Sequence, residues 1–267
     1  MPKLDRDSLV YTFGFAAMVC LVCAIIVAGT AVSLRPLQER NAKVDRLSKV
    51  LQVAGLMQHD EALGPDDVVA RFEKHIVPRV IDLETGAYDD SIDASSYDQR
   101  AASKDPDQSR PAAANDARVL RVPKHAVVYH VVENDEIKAL ILPIQGYGLW
   151  STMYGYIALG ADAETIAGIT FYEHGETPGL GGEIENPRWQ ASWSGRRAFD
   201  ETGAVKVQVI KGSAGPADSD PYRVDGLSGA TITSRGVSAT LAFWLGPDAF
   251  GPYLDSYRAQ LGERSAS

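Results

Sequence analysis

Two hydrophobic regimes divide the chain. From Ser8 to Leu34 no charged residue occurs in 27 positions, and Val, Ala, Leu and Ile dominate. A helix needs roughly 20 such residues to cross a bilayer. A cleaved signal peptide has a shorter apolar region, about 7–15 residues, and Ala28-Gly29-Thr30-Ala31 makes a poor cleavage site, so the pattern predicts an uncleaved anchor. Beyond it the apolar residues become periodic. Leu37, Val44, Leu47, Val50, Leu51 and Ala54 form one stripe of a helix from Pro36 to Leu56, with Gly55 as its stop. This reading divides the chain into 1–34, a tail and transmembrane anchor; 35–57, a helical stalk; and 58–267, a soluble domain.

Within the domain, Gly64-Pro65 opens a second helix with Val68, Val69, Phe72 and Ile76 on one side, and a short strand follows at 80–83. Residues 89–117 are poor in large apolar side chains and predict a long surface loop. Strands are expected at 126–132, 137–144, 154–159 and 166–172, joined by short turns such as Glu133-Asn134-Asp135. Consecutive hairpins of this kind make an antiparallel sheet. A short helix at 187–198 carrying Trp189 and Trp193, a strand at 205–211 and a final helix at 247–260 complete the pattern. Val237, Leu241, Phe243, Trp244 and Leu245 mark another helix, for which Thr233 or Ser234 is the expected N-cap. The fold class is α+β: an antiparallel β-sheet with flanking helices, preceded by one N-terminal transmembrane helix.

The formal net charge of −9 falls after the anchor, because Lys3 and Arg6 balance Asp5 and Asp7. Such a surface does not attract nucleic acid, and no basic patch with interleaved aromatics is present. Both cysteines, Cys20 and Cys23, lie inside the anchor, so no disulfide holds the domain. Two thiols fall short of the four ligands usual for zinc or an iron–sulfur cluster. Ala16, Cys20, Ala24 and Ala28 form a small-residue stripe suited to the approach of another membrane helix. The cations Arg35, Arg40, Lys43, Arg46 and Lys49 outnumber the two before the anchor and would keep the domain cytoplasmic, although that rule weakens for long following regions.

Candidate chemistry concentrates in two stretches. Asp225-Gly226-Leu227-Ser228-Gly229-Ala230-Thr231-Ile232-Thr233-Ser234 joins a Gly-rich turn to a helix start. Unpaired N–H groups and the positive dipole end make such a place suited to phosphate; an ordinary capped helix is the plainer reading. Tyr172 to Gly182 crowds four glycines, a proline, two acids and a histidine after a strand. No third metal ligand accompanies His174, Glu173 and Glu176 are plausible solvated acids, and the backbone could wrap a flat ligand. Ser228 lacks the strand–turn–helix context and the base of a serine hydrolase.

The first stretch resembles the flavinylation motif of the FMN-binding domain family. That resemblance implies one covalent FMN, its phosphate esterified to Thr231, with Asp225 needed by a flavin transferase. The blocks Gly-Tyr-Gly-Leu-Trp at 146–150, His-Gly-Glu-Thr-Pro-Gly-Leu-Gly-Gly-Glu at 174–183 and Val-Asp-Gly-Leu-Ser-Gly-Ala-Thr at 224–231 occur in order. With them the chain is similar over nearly its full length to the C-subunit family of bacterial Na+-translocating NADH:quinone oxidoreductases. The resemblance implies an electron carrier, not catalytic alone, in an inner-membrane complex that oxidises NADH, reduces ubiquinone and pumps Na+. It implies a single-pass anchor with a cytoplasmic tail, a periplasmic domain, a periplasmic flavin transferase as partner, and further membrane and soluble subunits. By motif position, Ser228, Gly229, Ala230, Thr233 and Ser234 would surround the phosphate, Trp150 and Leu180 would pack on the ring, and Glu173 and Thr177 would meet its edge. Two other readings stand beside it. One is the flavoprotein of the ion-translocating ferredoxin:NAD oxidoreductase, which should lack the 146–150 and 174–183 blocks; the other is a membrane-tethered binding module without a redox role.

Overall fold

The computed structural model describes residues 8–266, so the charges expected before the anchor lie outside the described residues. The chain divides between Asp45 and Arg46 into two compact units. The first is most of one helix, α1 (Leu9–Val53), whose apolar part is long enough to cross a membrane and has no buried surface. Inside it the hydroxyls are satisfied by the preceding turn: Thr30 donates to the Ile26 carbonyl at 2.7 Å and Ser33 to Thr30 at 3.0 Å. Anchor and stalk are one continuous helix that runs through Pro36. It ends where Gly55 takes φ +71°, a left-handed stop that glycine adopts without strain.

The second unit begins within the last turns of α1, where Val50, Leu51 and Val53 are buried. Then come α2 (Pro65–His75), β1 (Ile76–Asp82), α3 (Gln99–Ala102), β2 (Ser109–Pro111), β3 (Arg121–Pro123), β4 (His125–Glu133), β5 (Glu136–Tyr147), β6 (Thr152–Gly160) and β7 (Ile166–Glu173). A 3₁₀ turn (Gly181–Glu185), α4 (Pro187–Ala191), β8 (Gln208–Val209), β9 (Arg223–Val224), α5 (Thr231–Trp244) and α6 (Gly251–Ala266) follow. The central sheet is antiparallel in the order β1-β4-β5-β6-β7. Asn134 and Asp135, both at positive φ, make the two-residue turn between β4 and β5. That conformation matches the strand twist of a tight hairpin, and these two residue types tolerate it.

Helix α5 packs on β5 at very close range. A Cβ on Gly236 would lie 2.5 Å from the Tyr147 carbonyl oxygen, so only glycine admits this approach. At the other end the fully buried Trp244 donates its indole N–H to the Gln145 carbonyl at 2.6 Å. Leu140 and Leu142 of β5, Ile157 of β6 and Phe171 of β7 share the core with Val237 and Leu241 of α5. The start of α5 is thereby seated over the end of β5.

Several elements differ from the periodic pattern. Ile76, expected on one side of the second helix, is extended and opens β1, and the last helix begins at Gly251 rather than 247. The segment 89–117 contains α3 and β2, and Ala102, Ser109 and Ala117 are buried. Its order comes from local polar bonds, which hydropathy does not register. Asp98 caps α3 through the amides of Arg100 and Ala101, and Asp89, Asp93 and Asp105 each accept from an amide two residues on. The strand expected at 205–211 shrinks to the two residues of β8, paired parallel with β9. The helix expected at 187–198 stops at Ala191; Trp193 is wholly buried just beyond it, edge-on to Trp189.

A buried imidazole gives the domain a pH dependence. His130 Nε2 lies 2.9 Å from the Tyr253 hydroxyl, and burial, aided by Arg79, pushes its pKa down to about 4. An unfolded histidine titrates near ~6.5. Since the folded value is the lower, the contribution is complete above the unfolded value and is lost as pH falls through the folded one. Between pH ~7 and ~4 this group should cost on the order of 2–3 kcal/mol of stability. Urea unfolding across that range should show a shallower decline for His130→Phe, in which the Tyr88 and Tyr253 hydroxyls, 3.2 Å apart, keep each other as partners. An unchanged slope would assign the acid sensitivity to other groups.

Candidate functional site

The site is assembled at the N-terminus of α5. Gly229 at φ +70° turns the chain into the helix, and the N-cap is Ala230, without a side-chain cap bond. This corrects the expectation that Thr233 or Ser234 caps the helix. Both lie inside its first turn and are buried, with their hydroxyls otherwise engaged. Thr233 donates to Glu176 Oε2 at 2.5 Å, and Ser234 Oγ accepts the Leu227 amide at 3.2 Å. Neither hydroxyl is therefore aimed at a ligand outside. Thr231 is the first helical residue and is exposed, as are Ser228 and Gly229, while Ala230 is buried. The first helical amides have no intrahelical acceptor, so the exposed residue Thr231 sits at the positive end of a 14-residue helix.

Glu176 ties this helix to the two other blocks, a link that sequence reasoning missed. The residue is 5% exposed. It accepts the amides of Leu149 at 3.1 Å, Trp150 at 2.9 Å and Ser151 at 3.4 Å, as well as the Thr233 hydroxyl. Burial works to raise its pKa, but the Thr233 hydroxyl and the three amides outweigh burial and hold the carboxyl below the usual glutamate range. Two glycines make room for it. A Cβ on Gly148 would lie 2.6 Å from Glu176 Oε1, and one on Gly181 would lie 2.8 Å from Oε2 and 2.6 Å from Thr233 Oγ1. The loop leading to Glu176 is pinned as well, by the Gly175 amide on Ser151 Oγ at 2.6 Å and the Glu176 amide on His174 Nδ1 at 3.1 Å. His174 Nε2 is 3.1 Å from Glu185 Oε1 but makes no aligned hydrogen bond.

Large apolar side chains are exposed around this junction. Trp150 is 63% exposed and Leu180 44%. Leu180 lies against Gly229, where a Cβ would come within 2.8 Å of its Cδ2. Leu149 and Ile232, neither singled out by motif position, are exposed too, and a hydrophobic residue directly after Thr231 is the signal that could have found the second. Arg235 is exposed one turn along α5, on the same face as Thr231.

The remaining expected residues have other partners. Glu173 is half of a two-pronged ion pair with Arg100, at 2.6 and 2.9 Å, and the guanidinium holds its carboxyl below the usual range. Arg100 also lies 3.6 Å from the centroid of the Tyr154 ring. Thr177 is exposed, and its carbonyl accepts the amides of Leu180 and Gly182, closing the turn that presents Leu180. Asp225 is half-buried: its side chain accepts the Ala214 amide at 2.6 Å, and its carbonyl accepts the Trp189 indole N–H. Among the described residues no group of three or more His, Cys, Asp and Glu is placed to hold a metal.

An exposed hydroxyl at a positive helix end, beside exposed apolar side chains, suits a ligand with an anionic phosphate and a flat ring. Comparisons with known proteins agree. A family model described as FMN-binding domain matches residues 148–246, which hold all three segments joined by Glu176. The C subunit of the Na(+)-translocating NADH-quinone reductase of Pseudomonas aeruginosa is 43% identical over 257 residues, covering 95% of this chain and 98% of that protein. Its counterpart in Vibrio anguillarum is 46% identical over 256 residues, covering 95% and 97%. The crystal structure of Shewanella oneidensis NqrC superposes with a TM-score of 0.75 at 32% identity, covering 82% of this chain and 99% of that one. The crystal structure of the corresponding protein from Parabacteroides distasonis gives 0.63 at 27% identity, covering 83% and 96%. The chain belongs to the NqrC family, the C subunits of Na(+)-translocating NADH-quinone reductases.

Proposed function

We propose that this chain is the electron-carrying flavoprotein subunit of a membrane complex that oxidises NADH, reduces ubiquinone and pumps Na+, with one FMN held through a phosphoester bond to Thr231. The observation that carries the reading is the exposed Thr231 at the first position of α5, close in sequence to the exposed Ser228 and Gly229 and on a helix bound through Glu176 to the loop of Trp150. Bound there, FMN supplies one- and two-electron redox chemistry. The chain's own part is to hold and orient it. The free first-turn amides favour a phosphate, Arg235 adds a cation on the same face, and Trp150, Leu180 and Ile232 offer apolar surface to a ring. With Thr233 and Ser234 turned inward, phosphate contacts fall to Thr231, Ser228 and the backbone. Glu173 acts through its pair with Arg100 at the base of the 174–181 loop. The chain made beside a flavin transferase should keep yellow fluorescence on a denaturing gel; a dark band under those conditions would refute covalent attachment.

The partners are the other subunits of the complex and the transferase, for whose modification of Thr231 Asp225 is the acidic residue required. The domain lies in the periplasm, on the far side of the inner membrane from the tail. Leu120 is 83% exposed. With both native cysteines confined to the anchor, Leu120→Cys should react with a membrane-impermeant maleimide in intact spheroplasts. Labelling only after lysis would put the domain in the cytoplasm.

A further inference from the structure

We infer that Glu176 is the positioning residue of the flavin site, the group that fixes Trp150 and the start of α5 relative to each other; the inference rests on the FMN reading above. Its carboxylate sits where three chain segments meet that are far apart in sequence. On one side it gathers the consecutive amides of Leu149, Trp150 and Ser151, an arrangement that binds an anion through backbone donors alone. On the other it takes the hydroxyl of Thr233, two residues after Thr231 on the same helical turn. The apolar shelf and the attachment hydroxyl are thus joined through one side chain. Trp150 is mostly solvent-exposed, so apart from the Tyr147 hydroxyl on its carbonyl at 3.0 Å little packing holds it.

The surroundings are shaped to this one group. Gly148 and Gly181 leave open the space that the two carboxylate oxygens fill, and any side chain at either would displace it. Charge-assisted bonds to buried amides are short and strong, and their loss leaves several donors without acceptors. A carboxylate is not strictly required. A glutamine could present its oxygen to the three amides and its NH₂ to the Thr233 oxygen, so it keeps the shape of the bridge and loses only the added strength of the charge.

The test uses the full-length chain made beside its flavin transferase, as wild type, Glu176→Ala and Glu176→Gln. Intact mass gives the fraction flavinylated, and visible-region circular dichroism per bound flavin reports whether the ring is held in one orientation. Glu176→Ala should lower the flavinylated fraction by at least about tenfold, since losing even one charge-assisted hydrogen bond costs about that much and this change removes four contacts. It should also weaken the dichroism of whatever flavin remains. Glu176→Gln, which keeps the shape but not the charge, should recover most of both. A role in stability alone would lower the melting temperature of Glu176→Ala but leave the dichroism per flavin unchanged, and that result overturns the inference. If Glu176→Ala does not accumulate, Thr233→Val, which removes only the hydroxyl end of the bridge, should show a weaker form of the same two effects; unchanged values there overturn the inference equally. A wild-type chain at its bare mass beside an active transferase would overturn the flavin reading itself, and this inference with it.

Discussion

Thr231→Ala should fold as the wild type does and carry no covalent flavin. Structure and chemistry separate cleanly at this position. The side chain is exposed, makes no cap bond and starts a helix in which alanine has the higher propensity. The change in stability should therefore stay within about 0.5 kcal/mol. Attachment should fail completely, because no neighbouring hydroxyl can replace it. Thr233 and Ser234 are buried and bonded to Glu176 and to the Leu227 amide. Ser228 is exposed but precedes the left-handed turn at Gly229, outside the helix. Intact mass and a urea titration of one preparation check both halves. A variant that still gains mass, or one that fails to fold, contradicts this account of the position.

The second large effect lies at the other end of the same helix. Trp244→Ala should lower the stability of the domain by about 3–5 kcal/mol, the usual cost of emptying a buried aromatic site. Trp244 is fully buried, its ring meets Phe243 and Phe250, and its indole N–H is bonded to Gln145 in β5. The loss has two parts, a cavity in the core and a buried carbonyl without its donor. Trp244→Phe keeps most of the volume, so its cost should be nearer the hydrogen-bond share, about 1–3 kcal/mol. Equilibrium urea unfolding of the three proteins separates the parts. A loss below ~1 kcal/mol for Trp244→Ala would mean that α5 is seated by other contacts.

The sheet and the anchor were legible because their signals are periodic and local. The apolar run from Ala139 to Leu142 of β5 is buried throughout, and Asn134-Asp135 marks its turn. The uncharged run to Leu34 required nothing beyond its length. What escaped notice was held by polar bonds across distance. Glu176 finds its partners 25 to 27 residues back and 57 residues ahead, and no periodicity records such a link. Only the glycines at 148 and 181 carry its imprint, and a glycine count does not reveal what occupies the space it leaves. The order in 89–117 was hidden for a related reason: aspartate–amide turns and the Asp98 cap use residues that hydropathy scores as loop. At the start of α5, four hydroxyls stand within seven residues. Their number could not say which faces outward; the turn at Gly229 decides it, bringing Thr231 to the exposed first position and Thr233 inward.

Peptide mapping of the wild-type chain tests the central claim most directly. Trypsin cutting after Arg223 and Arg235 releases residues 224–235, which contain Ser228, Thr231, Thr233 and Ser234. Fragmentation of that peptide, from protein made beside the flavin transferase, should place the mass of one FMN less water on Thr231. The same mass on Ser228, Thr233 or Ser234, or a peptide of unmodified mass, would contradict the account.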